Sequence, residues 1–463
     1  MSVTDVARWQ FGITTLYHYI FVPLTLGLSI VVASMETWYV RTKNPAWLRM
    51  TQFWGRLLII NIVMGIVTGI VQEFQFGMNW SVYSSYVGDV FGAPLAMEAL
   101  IAFFLESTFI GVWVFSWDRL SPRLHAATIW LTAIASWLSA VFILAANSWM
   151  QYPVGYTINS AGRAQLTSIG AVLTNKIFLF SFPHTIMAAI LTAGAVMLAV
   201  GVWHLHRRTD DPIFRPVAAI GVALTLLGAG AVGLSGHVLA QVMTQEQPMK
   251  MAAAEAIWHS ENGASLSLFA IPNVTTGENV VDIAVPHILS ILDTYNWNGH
   301  VDGIDNLQAQ YQAEYGPGNY EPNVFLAFWS FRVMVGVSIV SGLIGLLGVV
   351  LWRRGSLGDH RWFVRLCLAA IALPFIANFA GWILTEMGRQ PWVVFGLLKT
   401  SNAVSPSLDI ISAWITLIGF TLLYGALAMV TGRLMLREVR TVGGPMGAHG
   451  GSDSDDLSAA PVY

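Results

Sequence analysis

Ala380-Gly-Trp-Ile-Leu-Thr-Glu-Met-Gly-Arg-Gln-Pro-Trp392 closes a long apolar run and sets a carboxylate, Glu386, three residues before a guanidinium, Arg389. Each charge at membrane depth costs roughly 2.5–3.5 kcal/mol on insertion scales, so the pair marks a candidate functional site. On a helix the i, i+3 spacing puts both groups on one face, where they partly neutralise each other. Gly388 and Pro391 end that helix, and Trp392 falls at the depth of an interfacial aromatic. A capped helix end braced by a structural ion pair is the competing account of this stretch.

The rest of the chain says which solvent this helix meets. Of 463 residues, 55% are hydrophobic and 11% charged, and the mean hydropathy is +0.60. Soluble domains carry about 25% charged residues, so the composition is that of a polytopic membrane protein. A net charge of −3 leaves no basic surface suited to nucleic acid. The single cysteine, Cys367, sits in an apolar run, which excludes an intrachain disulfide and a thiolate metal cluster. A metal here takes His, Met or carboxylate ligands. With no basic n-region and no small-residue cleavage site, the first apolar run is expected to be retained.

Apolar runs long enough to span fall at 13–35, 55–75, 94–116, 127–148, 178–203, 216–238, 325–352, 363–387 and 406–432. The expected fold is an all-α polytopic membrane protein of nine transmembrane helices, with its termini on opposite sides. Arg41, Lys43, Arg49, Arg56, Arg119, Arg123, Arg207, Arg208, Arg215, Arg353, Arg354, Arg361, Arg365, Arg433, Arg437 and Arg440 share one side. They are 16 of the 23 basic residues. That side is cytoplasmic by the positive-inside rule, which puts the N-terminus outside and the C-terminus in the cytoplasm.

The chain divides into helices 1–6 (1–238), a large outer loop (239–324), helices 7–9 (325–435) and a disordered cytoplasmic tail (436–463). In the loop, Lys250 is the only basic residue against ten acidic ones. Residues 249–258 read as a short Ala-rich helix with Lys250 and Glu255 near its ends. Residues 282–292 are apolar enough to lie on the membrane surface.

Ionisable and ligand-type side chains within the spans gather in the outer half: His18, Glu98, Glu106, His184, Arg332, Met334, Glu386 and Arg389. The inner half is expected to be nearly free of them. Glu98 and Glu106 are eight residues apart, about 80° around an ideal helix and about 12 Å in depth. They read as one polar file, or as buried structural acids. A lone histidine on an apolar helix is more often hydrogen-bonded than metal-bound, and most of the 17 methionines fill gaps. Two classes of function remain open. One is a redox centre with His and Met as axial haem ligands. The other is an ion-coupled secondary transporter using the intramembrane carboxylates.

Several motifs together resemble subunit I of the prokaryotic cytochrome bd-type quinol oxidases, of the short-loop kind. They are Gln10-Phe-Gly-Ile-Thr-Thr-Leu-Tyr-His-Tyr-Ile-Phe-Val-Pro-Leu-Thr25, Glu73-Phe-Gln-Phe-Gly-Met-Asn-Trp80, Gly92-Ala-Pro-Leu-Ala-Met-Glu98, Phe104-Leu-Glu-Ser-Thr108, Asn147-Ser-Trp-Met-Gln151, Ser330-Phe-Arg-Val-Met334 and Glu386-Met-Gly-Arg-Gln-Pro-Trp392. The likeness runs from about residue 8 to 435. It implies a terminal oxidase that oxidises membrane quinol at the outer face and reduces O2 to water with cytoplasmic protons.

The resemblance also implies roles. His184 and Met334 resemble the axial pair of a low-spin haem b, with Arg332 nearby. His18 and Glu386 resemble the ligands of two high-spin haems, one b and one d, the latter replaced by b-type haem in some relatives. Glu98 resembles a further ligand or proton donor, Glu106 a proton-path residue, and Arg389 with Trp392 a hold on haem charge. Lys250 and Glu255 match residues of quinol oxidation. Implied partners are ubiquinol or menaquinol, O2, membrane lipid, a second large membrane subunit and small single-helix subunits. The implied location is the bacterial cytoplasmic (inner) membrane.

Overall fold

A computed structural model describes residues 1–208 and 212–442. Among them, nine helical segments are long and apolar enough to cross a membrane: Val3–Thr42, Pro45–Met78, Ser81–Phe115, Pro122–Gln151, Lys176–His206, Phe214–Glu246, Val324–Arg353, Arg361–Met387 and Ile410–Thr441. These are the nine expected runs. Most extend past the expected limits, because a helix of 30 residues is about 45 Å long and a hydrocarbon core is about 30 Å thick. The expected tail boundary at 436 is corrected, since helix persists to Thr441. Residues 443–463 lie outside the described residues.

Several spans start at side-chain caps. Asn44 caps α3 (Pro45–Met78), which has proline at its first position, and Asp409 accepts from two backbone N–H groups of the last span. The first span breaks between α1 (Val3–His18) and α2 (Phe21–Thr42). Asn61 of α3 ties α3 to the start of α2, donating to the Phe21 carbonyl at 2.8 Å and to Thr25 Oγ1 at 2.7 Å. The third span is interrupted between α4 (Ser81–Met97) and α5 (Phe104–Phe115) by a π-helical segment, Glu98–Phe103. Pro94, inside α4, removes one backbone donor just before it.

The fourth span is α6 (Pro122–Gln151), and a short helix α7 (Ile169–Leu173) precedes α8 (Lys176–His206) and α9 (Phe214–Glu246). Glycines bring α8 and α9 close. A Cβ at Gly194 would lie 2.6 Å from the Thr225 nitrogen, and one at Gly228 2.8 Å from Leu191 Cα. Without a hydrophobic drive between helices in lipid, such close backbone packing holds them together.

The loop after α9 contains α10 (Pro248–Glu255), α11 (Ile288–Thr294) and α12 (Ile304–Tyr315), with an antiparallel hairpin of Leu266–Asn273 and Glu278–Val285. Residues 282–292, expected as one surface segment, are instead the end of a strand and the start of a helix. The expected helix over 249–258 is present as α10, and it packs on α9, α12 and α13 (Val324–Arg353). The eighth span is α14 (Arg361–Ala370) with α15 (Ala372–Met387), and the ninth is α16 (Ile410–Thr441).

Candidate functional site

His18 is the last residue of α1, directly before the break in the first span. Its Nδ1 lies 2.9 Å from Thr68 Oγ1. Thr68 uses its own proton on the carbonyls of Met64 and Gly65, so its oxygen receives the Nδ1 proton. His184, one residue after the intrahelical Pro183, repeats the arrangement. Its Nδ1 is 3.2 Å from Ser235 Oγ, and Ser235 donates to the Ala231 carbonyl at 2.7 Å. In both rings the proton is drawn to Nδ1, which leaves the Nε2 lone pair for a metal.

Glycine faces each of these groups. A Cβ at Gly69 would come within 3.1 Å of His18 Cε1, and one at Gly236 within 3.1 Å of His184 Cε1. At Gly381 it would come within 3.0 Å of the Met334 sulfur. Among the described residues no three His, Cys, Asp or Glu gather around a bare ion. Single ligands with a free lone pair suit a macrocycle that brings its own nitrogens, so the residues fit haem better than a naked metal.

Glu98 opens the π-helical segment and accepts from Ser139 Oγ at 2.7 Å. Glu106 accepts from Ser136 Oγ at 2.6 Å. Ser136 and Ser139 lie one turn apart on α6. A π turn, closing i to i+5, rotates less per residue than an α turn and reduces the 80° offset expected of an unbroken helix. Both acids therefore address the same helix as one file.

Glu386, near the end of α15, receives Arg389 Nη2 on one oxygen and Asn147 Nδ2, at 2.9 Å, on the other. Gln151 Nε2 donates to Asn147 Oδ1 at 2.8 Å, and Lys250 Nζ donates to Gln151 Oε1 at 2.6 Å. Burial lowers the Lys250 ammonium to about 7; the neighbouring Arg389 charge adds to this and Glu386 opposes it. Glu255, at the other end of α10, accepts from Arg332 Nη2 at 2.6 Å. Burial raises its carboxyl, and Arg332 holds it back.

Arg332, assigned from sequence to the haem region, thus joins Met334's helix to the quinol-type residue Glu255, and its Nε donates to the Ser267 carbonyl at 2.7 Å. Arg389 Nε and Nη1 and Trp392 Nε1 are buried and find no partner among the described residues. They line a small cavity with Lys250, Tyr311 and Tyr320.

Two expectations are corrected. Trp392 is not an interfacial aromatic; it is 5% exposed and stacked on Tyr320, because the chain turns back over the site after Gly388. The end of the bundle away from Glu386 is not free of charge either. Glu36 accepts from His125 at 2.5 Å and from Trp113 Nε1 at 2.7 Å, all three buried. Both ionisable residues fell just outside spans drawn at 13–35 and 127–148. Thr68, Ser136, Ser139, Ser235 and the facing glycines carried no signal distinct from helix filler.

A model of the family described as "Cytochrome bd terminal oxidase subunit I" matches residues 6–442. The chain is 45% identical over 441 residues to "Cytochrome bd ubiquinol oxidase subunit 1" of Bacillus subtilis (strain 168), covering 95% of this chain and 94% of that one. It is 39% identical over 464 residues to "Cytochrome bd-II ubiquinol oxidase subunit 1" of Escherichia coli (strain K12), covering 87% and 90%. The solved bd oxidase of Geobacillus thermodenitrificans shares the fold at a TM-score of 0.85, with 25% identity, over 95% of this chain and 98% of that one.

Proposed function

The chain belongs to the cytochrome bd terminal oxidase subunit I family, and from that premise we propose how its residues divide the work. It is the haem-containing subunit of a quinol oxidase that reduces O2 to water and generates a proton-motive force. Bound haem supplies electron transfer and the oxygen-reducing iron.

In this reading His184 and Met334 hold a low-spin haem b, and His18 and Glu386 hold two high-spin haems, a b and a d. Glu98 is a further ligand or the last proton donor. Arg389 and Trp392, with their unpartnered N–H groups, suit the carboxylates of a porphyrin. The observation that carries this assignment is the pair of histidines whose Nδ1 protons are committed to Thr68 and Ser235. An anaerobic reduced-minus-oxidised spectrum of the purified complex tests it. The expected result is b-type haem, with pigment extraction reading out haem d, and absence of haem would favour an ion-coupled transporter.

Lys250 and Glu255 form the quinol site, in which Lys250 donates to a quinol oxygen and Glu255 takes a proton. The basic-residue bias supports an outer N-terminus, a cytoplasmic C-terminus and an outer quinol loop in the bacterial cytoplasmic membrane. Protons released at that loop and protons drawn from the cytoplasm past Glu106 then separate charge without a dedicated pump. Exposed apolar residues such as Leu100 and Phe104, and Ile411, Ile415 and Leu422 on α16, suit lipid, a second large subunit and small single-helix subunits.

Glu255→Ala is expected to slow quinol oxidation by about 10²-fold, the usual worth of a general base, while O2 consumption from an artificial donor persists. Equal loss of both would remove Glu255 from the quinol site. Lys250 lies outside the spans and loses its proton at about 7 rather than near 10.5. Its ammonium is present below that pH and lost above it, so the quinol KM should rise as pH passes upward through about 7. A KM flat from pH 6 to 9, or the same rise in Lys250→Ala, would reject the ammonium's part.

A further inference from the structure

Resting on the quinol reading of Lys250, one feature of the site goes further. The ammonium is 3% exposed, yet among the described residues its only oxygen partner is a neutral amide, Gln151 Oε1. It also reaches the Met243 sulfur at 4.0 Å. Gln151 is itself 2% exposed and is fixed twice more. Its backbone carbonyl accepts from Gln247 Nε2 at 2.6 Å, and its own Nε2 donates to Asn147 Oδ1 at 2.8 Å. Asn147 Nδ2 then donates to Glu386 Oε1 at 2.9 Å.

The three donors run in one sense, from ammonium to carboxylate, through two amides lined up head to tail. Gln151 and Asn147 are one turn apart on α6, so a single helix supplies both. Gly388 leaves room for the lysine stem, because a Cβ there would fall 2.7 Å from Lys250 Cγ.

We propose that Gln151 positions the Lys250 ammonium for the quinol oxygen, and that Gln151 and Asn147 in series tie it to the Glu386 carboxylate. Both are positioning residues and neither touches the reacting atoms. A second proton of the ammonium meets substrate while the first is held, which fixes the direction of approach. An amide suits this place because it accepts from Lys250 and donates to Asn147 at once; neither a hydrocarbon nor a carboxylate does both.

The test uses the purified complex and a soluble short-chain quinol, with haem content checked by spectrum in every variant. Two quantities are read: the KM and kcat of quinol oxidation, and equilibrium binding of the matching quinone. Gln151→Leu should raise KM and weaken quinone binding about tenfold, the worth of one hydrogen bond to a charged group, with kcat on an artificial donor unchanged. Gln151→Glu still accepts from Lys250 but cannot donate to Asn147, so its KM should fall between those of the wild type and Gln151→Leu. Asn147→Leu should raise KM as well, and Asn147→Leu with Gln151→Leu should be no worse than Gln151→Leu alone.

An unchanged KM in Gln151→Leu, where Lys250→Ala raises it, would overturn the positioning role and leave the quinol site standing. A strictly additive double variant would overturn the series connection. Unchanged KM in Lys250→Ala would instead overturn the quinol reading on which the inference rests.

Discussion

Met334→Leu is expected to abolish the low-spin b-haem signal of the reduced-minus-oxidised spectrum and to lower quinol oxidase turnover by more than 100-fold. Leucine has nearly the volume of methionine, and such swaps usually cost less than about 1.5 kcal/mol, so the complex should still assemble. The sulfur alone is lost, and with it the donor that would hold the low-spin haem. Loss of a group that merely supports a ligand typically costs about 10–100-fold, and removing the ligand itself should exceed that. The high-spin signals should persist, because His18 lies against Thr68 and Gly69 on α3 and Glu386 is held by Asn147 and Arg389, none of them on α13. Gly381→Ala gives the graded control. A Cβ would stand 3.0 Å from the sulfur, so it should shift the low-spin band and its potential without removing the haem. A Met334→Leu complex with an unaltered low-spin band would refute the ligand assignment.

Which parts of this site were legible depended on the range over which the physics acts. Helical spans and their sidedness are one-dimensional properties, set by runs of apolar residues and by where lysine and arginine fall, so the nine spans could be read directly. His18, His184, Met334 and Glu386 stand out because a polar or ligating group in an apolar helix needs a reason. Their partners do not stand out. Thr68 and Ser235 are ordinary helix residues whose role exists only because a ring lies opposite, 50 and 51 positions away in sequence. The same holds for Gln151 and Lys250, 99 positions apart.

Arg332 shows the same limit. Two residues from Met334 in sequence, it pairs with Glu255 on another element, a contact that its spacing along the chain does not announce. The π segment at Glu98–Phe103 was hidden because its composition is that of any transmembrane helix. Only hydrogen bonding reveals that the turn is wide. Glu36 and His125 were lost to span boundaries drawn a few residues short.

The π segment matters most for the second large effect, that of Glu106→Gln. This change should slow O2 reduction by about 10²-fold, the usual contribution of a positioned proton-transfer group, and should abolish uptake of protons from the inner side in proteoliposomes. The glutamine keeps what a structural acid would supply. Ser136 Oγ donates to one Glu106 oxygen at 2.6 Å, and the glutamine carbonyl accepts that same bond. The brace between α5 and α6 therefore survives, and only the ability to carry a proton is gone. Ser136→Ala makes the reverse separation, removing the brace while leaving a carboxyl, and should cost no more than a few-fold. Quinol KM should be unchanged in both, since Lys250 and Glu255 belong to a different set of contacts. If Glu106→Gln turns over like the wild type while Ser136→Ala fails, the file of acids is scaffolding. Protons must then reach the oxygen-reducing site by another route, the second subunit being the next place to look.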